Sequence, residues 1–215
     1  MSTVGSLVAA KLLEIKAIKL KPSEPFTWAS GLKSPIYCDN RITLSHPEIR
    51  DFIKQSLNDK LWAFGEADVI AGVATAGIPH GALLADLAKK PFIYVRSKSK
   101  AHGRQNKIEG ELAPGAKVLV VEDLISTGMS SLAACEAIKE AGATAIGVLA
   151  LFTYGMEKSK QAFKKHNLPL ETLTNYRVLL EEAERSKHIT AEEKALLEDW
   201  NKDPAAWSEK AQQKI

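Results

Sequence analysis

Cysteine is nearly absent from this chain of 215 residues: Cys38 and Cys135 stand far apart and share no metal-ligand spacing. Two isolated thiols make no disulfide framework, and each reads as a small buried or half-buried side chain in a reducing compartment. No apolar run approaches the length of a membrane span. The first residues lack a basic stretch leading into a signal-type apolar core. These absences lead us to expect a cytoplasmic location. Internal repeats and low-complexity tracts are missing too. The net charge of +3 is too small to imply nucleic-acid binding. One local absence carries more weight. Between Arg96 and Lys107 there is no acid, while Arg96, Lys98, Lys100, Arg104 and Lys107 are all basic.

What remains suffices for a core. The apolar fraction is 45%, and the length fits one α/β domain with a small appended element. Leu7, Val8, Leu12, Leu13 and Ile15 predict a helix over 6–20, broken by Pro22 and Pro25. Phe26-Thr27-Trp28 and Pro35-Ile36-Tyr37-Cys38 read as two short strands around Ser30-Gly31. Ser45 or His46 caps a helix that has Pro47 in its first turn.

A doubly wound rhythm follows. Strands are predicted over 68–73, 91–95, 118–121 and 145–152, with helices over 77–87 and from Gly128 to about Ala141. Such alternation argues for a parallel sheet with right-handed crossovers. The polar stretch between Val95 and Lys117 has no apolar period, and a loop of that length in a compact domain is usually functional. Beyond Phe152 the chain becomes helical and polar. Asp203-Pro204 starts a fresh helix, so Trp200 and Trp207 belong to separate helices and read as packing residues.

The richest segment is Lys117 to Gly128. Four apolar residues from Val118 to Val121, three of them β-branched, suit a strand buried on both faces. Glu122 and Asp123 emerge at its carboxyl end, where open α/β sheets bind ligands. Ser126, Thr127 and Gly128 then offer hydroxyls and backbone N–H groups at a helix N-terminus, a natural anion site. Acids beside an anion cradle are consistent with a sugar phosphate, whose hydroxyls the carboxylates accept from. A second turn, Ala74-Thr75-Ala76-Gly77-Ile78-Pro79, reads either as a phosphate-facing turn with Gly77 at positive φ or as a plain strand-to-helix turn. His80 reads as a packing or capping residue.

The run from Glu122 to Ser130 resembles the signature of the type I phosphoribosyltransferases. Three further blocks narrow the resemblance to the orotate phosphoribosyltransferases: Phe26 to Gly31 running into Ser34 to Arg41, Ala74 to His80, and Arg96 to Gly103. Phe152-Thr153-Tyr154-Gly155 lies behind the signature. The resemblance covers nearly the whole chain. It implies an open, mainly parallel sheet flanked by helices, with an N-terminal hood over 1–45, a doubly wound core over 46–155 and a mostly helical tail over 156–215. It implies transfer of a phosphoribosyl group from 5-phosphoribosyl 1-diphosphate to orotate. The diphosphate substrate would meet Arg96, Lys100 and His102 and the run Glu122, Asp123, Leu124, Ile125, Ser126, Thr127, Gly128, Met129 and Ser130. Lys100, His102 and Asp123 would carry catalysis, His102 as a cation or as a proton donor to the leaving group. Glu122 and Asp123 would accept from ribose hydroxyls. Ser126 would touch the base, and Tyr37 would stack on it or pack in the core. Mg²⁺ is implied on substrate oxygens, with no direct protein ligand. A homodimer is implied, with the loop over 96–110 shared between sites and no nucleic-acid or membrane partner.

Ala29 and Ala76 stand where other members carry lysines, and Tyr154 stands where others have an arginine. Lys33 and Arg41 are the candidates to compensate. Two other readings keep the same fold: salvage of a purine or of uracil, and a regulator that senses the diphosphate. The block from Phe26 to Arg41 weighs against the first. The single N-terminal helix, modest in charge, weighs against the second.

Overall fold

Thr3 sets the first helix: its side-chain oxygen accepts from the Ser6 N–H, and α1 runs Val4–Glu14. The structure, a computed structural model, describes residues 3–28, 31–97 and 107–212. Ala29, Lys98, Lys100, His102 and Arg104 fall outside them. α1 stops short of the predicted span because Lys16 turns the chain with φ of +57° and the next apolar residues alternate. They form β1 Ile18–Leu20. Three further short strands follow, where two were expected: β2 Phe26–Thr27, β3 Lys33–Ser34 and β4 Ile36–Cys38. β2 pairs with β3 as a hairpin, and β4 pairs instead with β1, both antiparallel. The Ser34 hydroxyl donates to the Ile36 carbonyl at 2.9 Å, where the chain changes partner.

Contacts divide the chain into two units, Met1–Ser45 with Thr174–Ile215, and His46–Leu173. The second begins with α2 Pro47–Asn58, which has His46 at its cap and Pro47 in its first turn, as read. Then come β5 Val69–Val73, α3 Gly77–Ala88, β6 Phe92–Val95, β7 Ile108–Glu109, β8 Lys117–Ile125, α4 Met129–Glu140, β9 Thr144–Thr153, α5 Glu157–Lys165 and β10 Leu170–Asn175. The sheet order is β10-β9-β8-β5-β6-β7. β6, β5, β8 and β9 run parallel, and β7 pairs antiparallel with β6. All five residues of β5 are buried, as a central strand covered on both faces requires. Val118 and Val120 of β8 share a core with Leu132 and Ile138 of α4 and Phe163 of α5. α3 covers the other face over β5 and β8.

β7 and β10 were not anticipated. β7 has two residues and one apolar side chain, Ile108, 5% exposed. β10 has four polar residues among its six and interrupts the tail that was read as mostly helical. The tail is otherwise α6 Tyr176–Arg185, α7 Ala191–Lys202 and α8 Pro204–Gln212, and these belong to the first unit. There α1 packs on α6, and Trp200, fully buried, meets Trp28 edge-on at 5.9 Å and Tyr176 at 5.5 Å. Thr190 and Glu193 close a reciprocal cap at the start of α7.

Candidate active site

β5 leads through α3 to β6 on one side of it, while β8 and β9 lie on the other. The strand order therefore reverses between β5 and β8. Open α/β sheets bind ligands outside the carboxyl ends of strands at such a point. Two strand–turn–helix units meet there: β5 into α3 through residues 74–76, and β8 into α4 through residues 126–128.

β8 is longer than the apolar run that predicted it. Val118 to Val121 pair with β5, whose pairing ends there, while β9 pairs on as far as Thr153 against Ile125. Glu122 and Asp123 thus lie within β8, one step past its last pair with β5. Successive strand residues face opposite sides of a sheet. Glu122 turns to the first turn of α4 and Asp123 starts from the opposite side of the strand, although the two carboxyls still interact at the strand end.

The two acids consequently have different surroundings. Glu122 is 5% exposed. Its Oε2 accepts from the Ser130 hydroxyl at 3.1 Å and the Ser131 hydroxyl at 3.3 Å, and its Oε1 from the Asp123 N–H at 3.1 Å. Burial, then the neighbouring Asp123 carboxylate, push its pKa up to about 8. Asp123 is only partly buried. Ser131, fully buried, was missed by sequence reasoning, although it stands beside Ser130 in the first turn of α4 and carries the same hydroxyl signal.

The turn after β8 fits an anion. Gly128 has φ of +81°, and a Cβ there would sit 2.6 Å from the Phe163 ring. Only glycine fits both the backbone and the space. No side chain caps α4, so its first N–H groups remain for a ligand beside the partly buried Ser126 and Thr127. Met129 is 69% exposed, and Leu124 and Ile125 complete the strand, Ile125 fully buried.

The turn after β5 departs from one of its two readings, the one that put Gly77 at positive φ. Gly77 opens α3 and is not among the positive-φ glycines. A Cβ on it would lie 2.5 Å from the Val121 carbonyl oxygen and 3.4 Å from Glu122 Oε1. Its glycine is needed for close approach of α3 to β8. Ala76 occupies the cap position of α3. His80 is 2% exposed, and burial lowers its pKa to about 4, so it packs as a neutral side chain, as read.

The remaining candidates lie on other segments, and two of them border the turns: the Ala74 N–H donates to the Val95 carbonyl, next to Arg96, and the Tyr154 N–H to the Ile125 carbonyl. Arg96 follows β6, and its Nη1 lies 3.3 Å from Glu109 Oε1. Lys100 and His102 lie outside the described residues. Tyr154 is 3% exposed and packs edge-on against Phe152 at 5.5 Å. In the first unit, Tyr37 is 40% exposed on β4, with its ring 5.7 Å from Phe26. Lys33 Nζ donates to the Thr27 hydroxyl at 3.0 Å, and Arg41 grips Asp39 through Nε and Nη2 at 2.7 and 2.8 Å.

The family model for the phosphoribosyl transferase domain matches residues 41–179. An orotate phosphoribosyltransferase of Listeria innocua is 57% identical over 206 residues, which cover 95% of this chain and 99% of that protein. The chain belongs to the orotate phosphoribosyltransferase family. Another member of that family, from Bacteroides thetaiotaomicron, is also 57% identical, over 96% of this chain and 98% of its own. Among solved structures, the orotate phosphoribosyltransferase of Aeropyrum pernix superposes with a TM-score of 0.73 at 28% identity, covering 81% of this chain and 97% of that one.

Proposed function

We propose that this chain transfers the 5-phosphoribosyl group of 5-phospho-α-D-ribose 1-diphosphate to orotate. The products are orotidine 5′-phosphate and diphosphate, in pyrimidine biosynthesis. The observation that carries the reading is Asp123 set beside the uncapped start of α4 at the point where the strand order reverses. The choice of base follows the orotate phosphoribosyltransferases that resemble the chain over nearly its full length.

The proposed roles follow from chemistry. The N–H groups of the turn from Ser126 to Ser130 hold the 5-phosphate, with the hydroxyls of Ser126 and Thr127 beside them. Asp123 accepts from ribose hydroxyls. Glu122, with three hydrogen bonds inside the protein, steadies the first turn of α4. Bond breaking at C1 moves negative charge onto the departing diphosphate, so positioning and electrostatic stabilisation supply most of the rate. Arg96, Lys100 and His102 meet that charge, and closure of their loop over the site excludes water. Ser126 reaches the base.

Mg²⁺ suits this donor set, in which the strand end offers carboxylate and hydroxyl oxygens but no nitrogen or sulfur. Asp123 would face the ion through water, and Ser126 and Thr127 lie within the same turn. Bound through substrate oxygens, the ion supplies neutralisation of the diphosphate charge. A homodimer that shares the loop over 96–110 between sites, and a cytoplasmic location, complete the reading. Among the described residues no helix is long and apolar enough to cross a membrane.

The test is a panel of bases. With Mg²⁺ and the diphosphate donor, purified protein consumes orotate and releases diphosphate. Uracil, hypoxanthine and guanine turn over at least ~100-fold less efficiently, because a pocket built for a carboxylate leaves polar groups unpaired with a base lacking one. Comparable turnover of any of the three would end the orotate assignment and leave the fold standing.

A further inference from the structure

β6 and β7 form a short antiparallel pair, with Tyr94 opposite Glu109 and Val95 opposite Ile108. One residue past these strands the Arg96 N–H donates to the Lys107 carbonyl at 2.8 Å. This pairing fixes the Arg96 backbone beside β7, and the Arg96 side chain reaches Glu109, with Nη1 and Oε1 3.3 Å apart. The pair is partly exposed, the Arg96 side chain by 37% and that of Glu109 by 25%. The contact uses one terminal nitrogen. Arg185 and Glu182 show the stronger alternative in this same chain, a two-pronged grip at 3.0 and 2.6 Å.

A guanidinium held by one prong, close to solvent, is easily taken by a better anion. Phosphate oxygens match the guanidinium fork and carry more charge than a carboxylate. The Glu109 carboxylate is partly open to water and keeps a further interaction of its own, so the exchange costs little on that side.

Resting on the function proposed above, we infer that Glu109 is a positioning residue that competes with the diphosphate group for Arg96. It occupies the guanidinium before the diphosphate arrives, yields it on binding and reclaims it as the product leaves. The acid thus weakens the grip on diphosphate below what Arg96 alone would give, and so favours release.

The experiment measures binding of inorganic diphosphate by calorimetry, without any base present. Glu109→Gln keeps the shape and removes the charge, and diphosphate binds roughly 2- to 5-fold tighter, the scale of a partly exposed ion pair. Glu109→Asp, which withdraws the carboxylate by one methylene, tightens binding in the same direction and covers the case in which the first variant folds poorly. Arg96→Gln weakens binding, and adding Glu109→Gln to it brings no gain, because the competitor then has nothing to compete for. Unchanged or weaker binding in both Glu109 variants would overturn the inference. So would an equal gain in the Arg96→Gln background, which would show a general field effect. Failure of the unaltered protein to bind diphosphate would overturn the parent function as well, and the two failures are therefore distinct.

Discussion

Glu122 is a carboxylate kept almost wholly from water while a second carboxylate follows it in the chain. Its three internal hydrogen bonds offset part of that cost, but its pKa still rises from an ordinary 4.5 to about 8 through burial and then the charge of Asp123. Between those two values the folded protein keeps a proton that the unfolded chain has lost. Stability therefore falls as pH rises from 4.5 to about 8. His80 acts in the opposite sense lower down. Burial depresses its pKa from 6.5 to about 4, so the unfolded chain takes up a proton the fold refuses, and stability falls as pH drops through that window. His80 of the unfolded chain is half protonated at pH 6.5, so its contribution levels off only about one pH unit higher, and comparison with a variant at Glu122 cancels it at every pH. Glu122→Gln cannot titrate and resembles the protonated acid. In chemical denaturation at pH 6.5, 7.2 and 8, the variant loses less stability than the unaltered protein over that range. Parallel profiles would show that Glu122 is ionised throughout.

At the scale of elements, the site depends on how closely α3 approaches β8. Gly77 permits that approach, since a Cβ would lie 2.5 Å from the Val121 carbonyl oxygen, a backbone atom that cannot swing aside. Gly77→Ala must move α3 or β8, at about 1–3 kcal/mol for an overpacked methyl group. The thermal midpoint of the variant falls by about 2–4 °C per kcal/mol for a chain of this size, and a scanning melt reads it. A midpoint unchanged within error would mean that the two elements have slack. The strands that carry the site were legible in the sequence because burial on both faces demands long apolar runs, as in β5, β8 and β9. The turn of Ser126, Thr127 and Gly128 was legible because small residues mark a strand-to-helix turn. β7 was not, since one apolar residue gives no period, and Glu109 was therefore missed. The contrast between Glu122 and Asp123 was hidden for a related reason: the unbroken apolar run ends at Val121, and Leu124 and Ile125 resume it too briefly to show that β8 runs on through the acids.

For the whole molecule, charge is arranged locally. A total of 29 basic and 26 acidic residues leaves +3, yet the charged residues from Arg96 to Lys107 are all cations and β8 carries two adjacent acids. The proposed dimer gives this arrangement a consequence that mixing can test. Lys100→Ala removes a cation that would meet the departing diphosphate, so turnover falls more than ground-state binding weakens. Asp123→Asn removes charge toward ribose, with a loss of roughly 10- to 1000-fold on the scale of one or two charge-assisted contacts. Each homodimer alone is then nearly inactive. If one subunit's loop serves its partner's acids, a mixed dimer holds one site with both lesions and one with neither. Equal mixing with free exchange makes about half the dimers mixed, so activity returns to roughly a quarter of the unaltered value. If each loop serves its own subunit, every site in the mixed dimer keeps one lesion and no activity returns. Turnover of orotate after mixing, with subunit exchange followed by mass on differently tagged chains, separates the two. Exchange without recovery would confine each loop to its own acids.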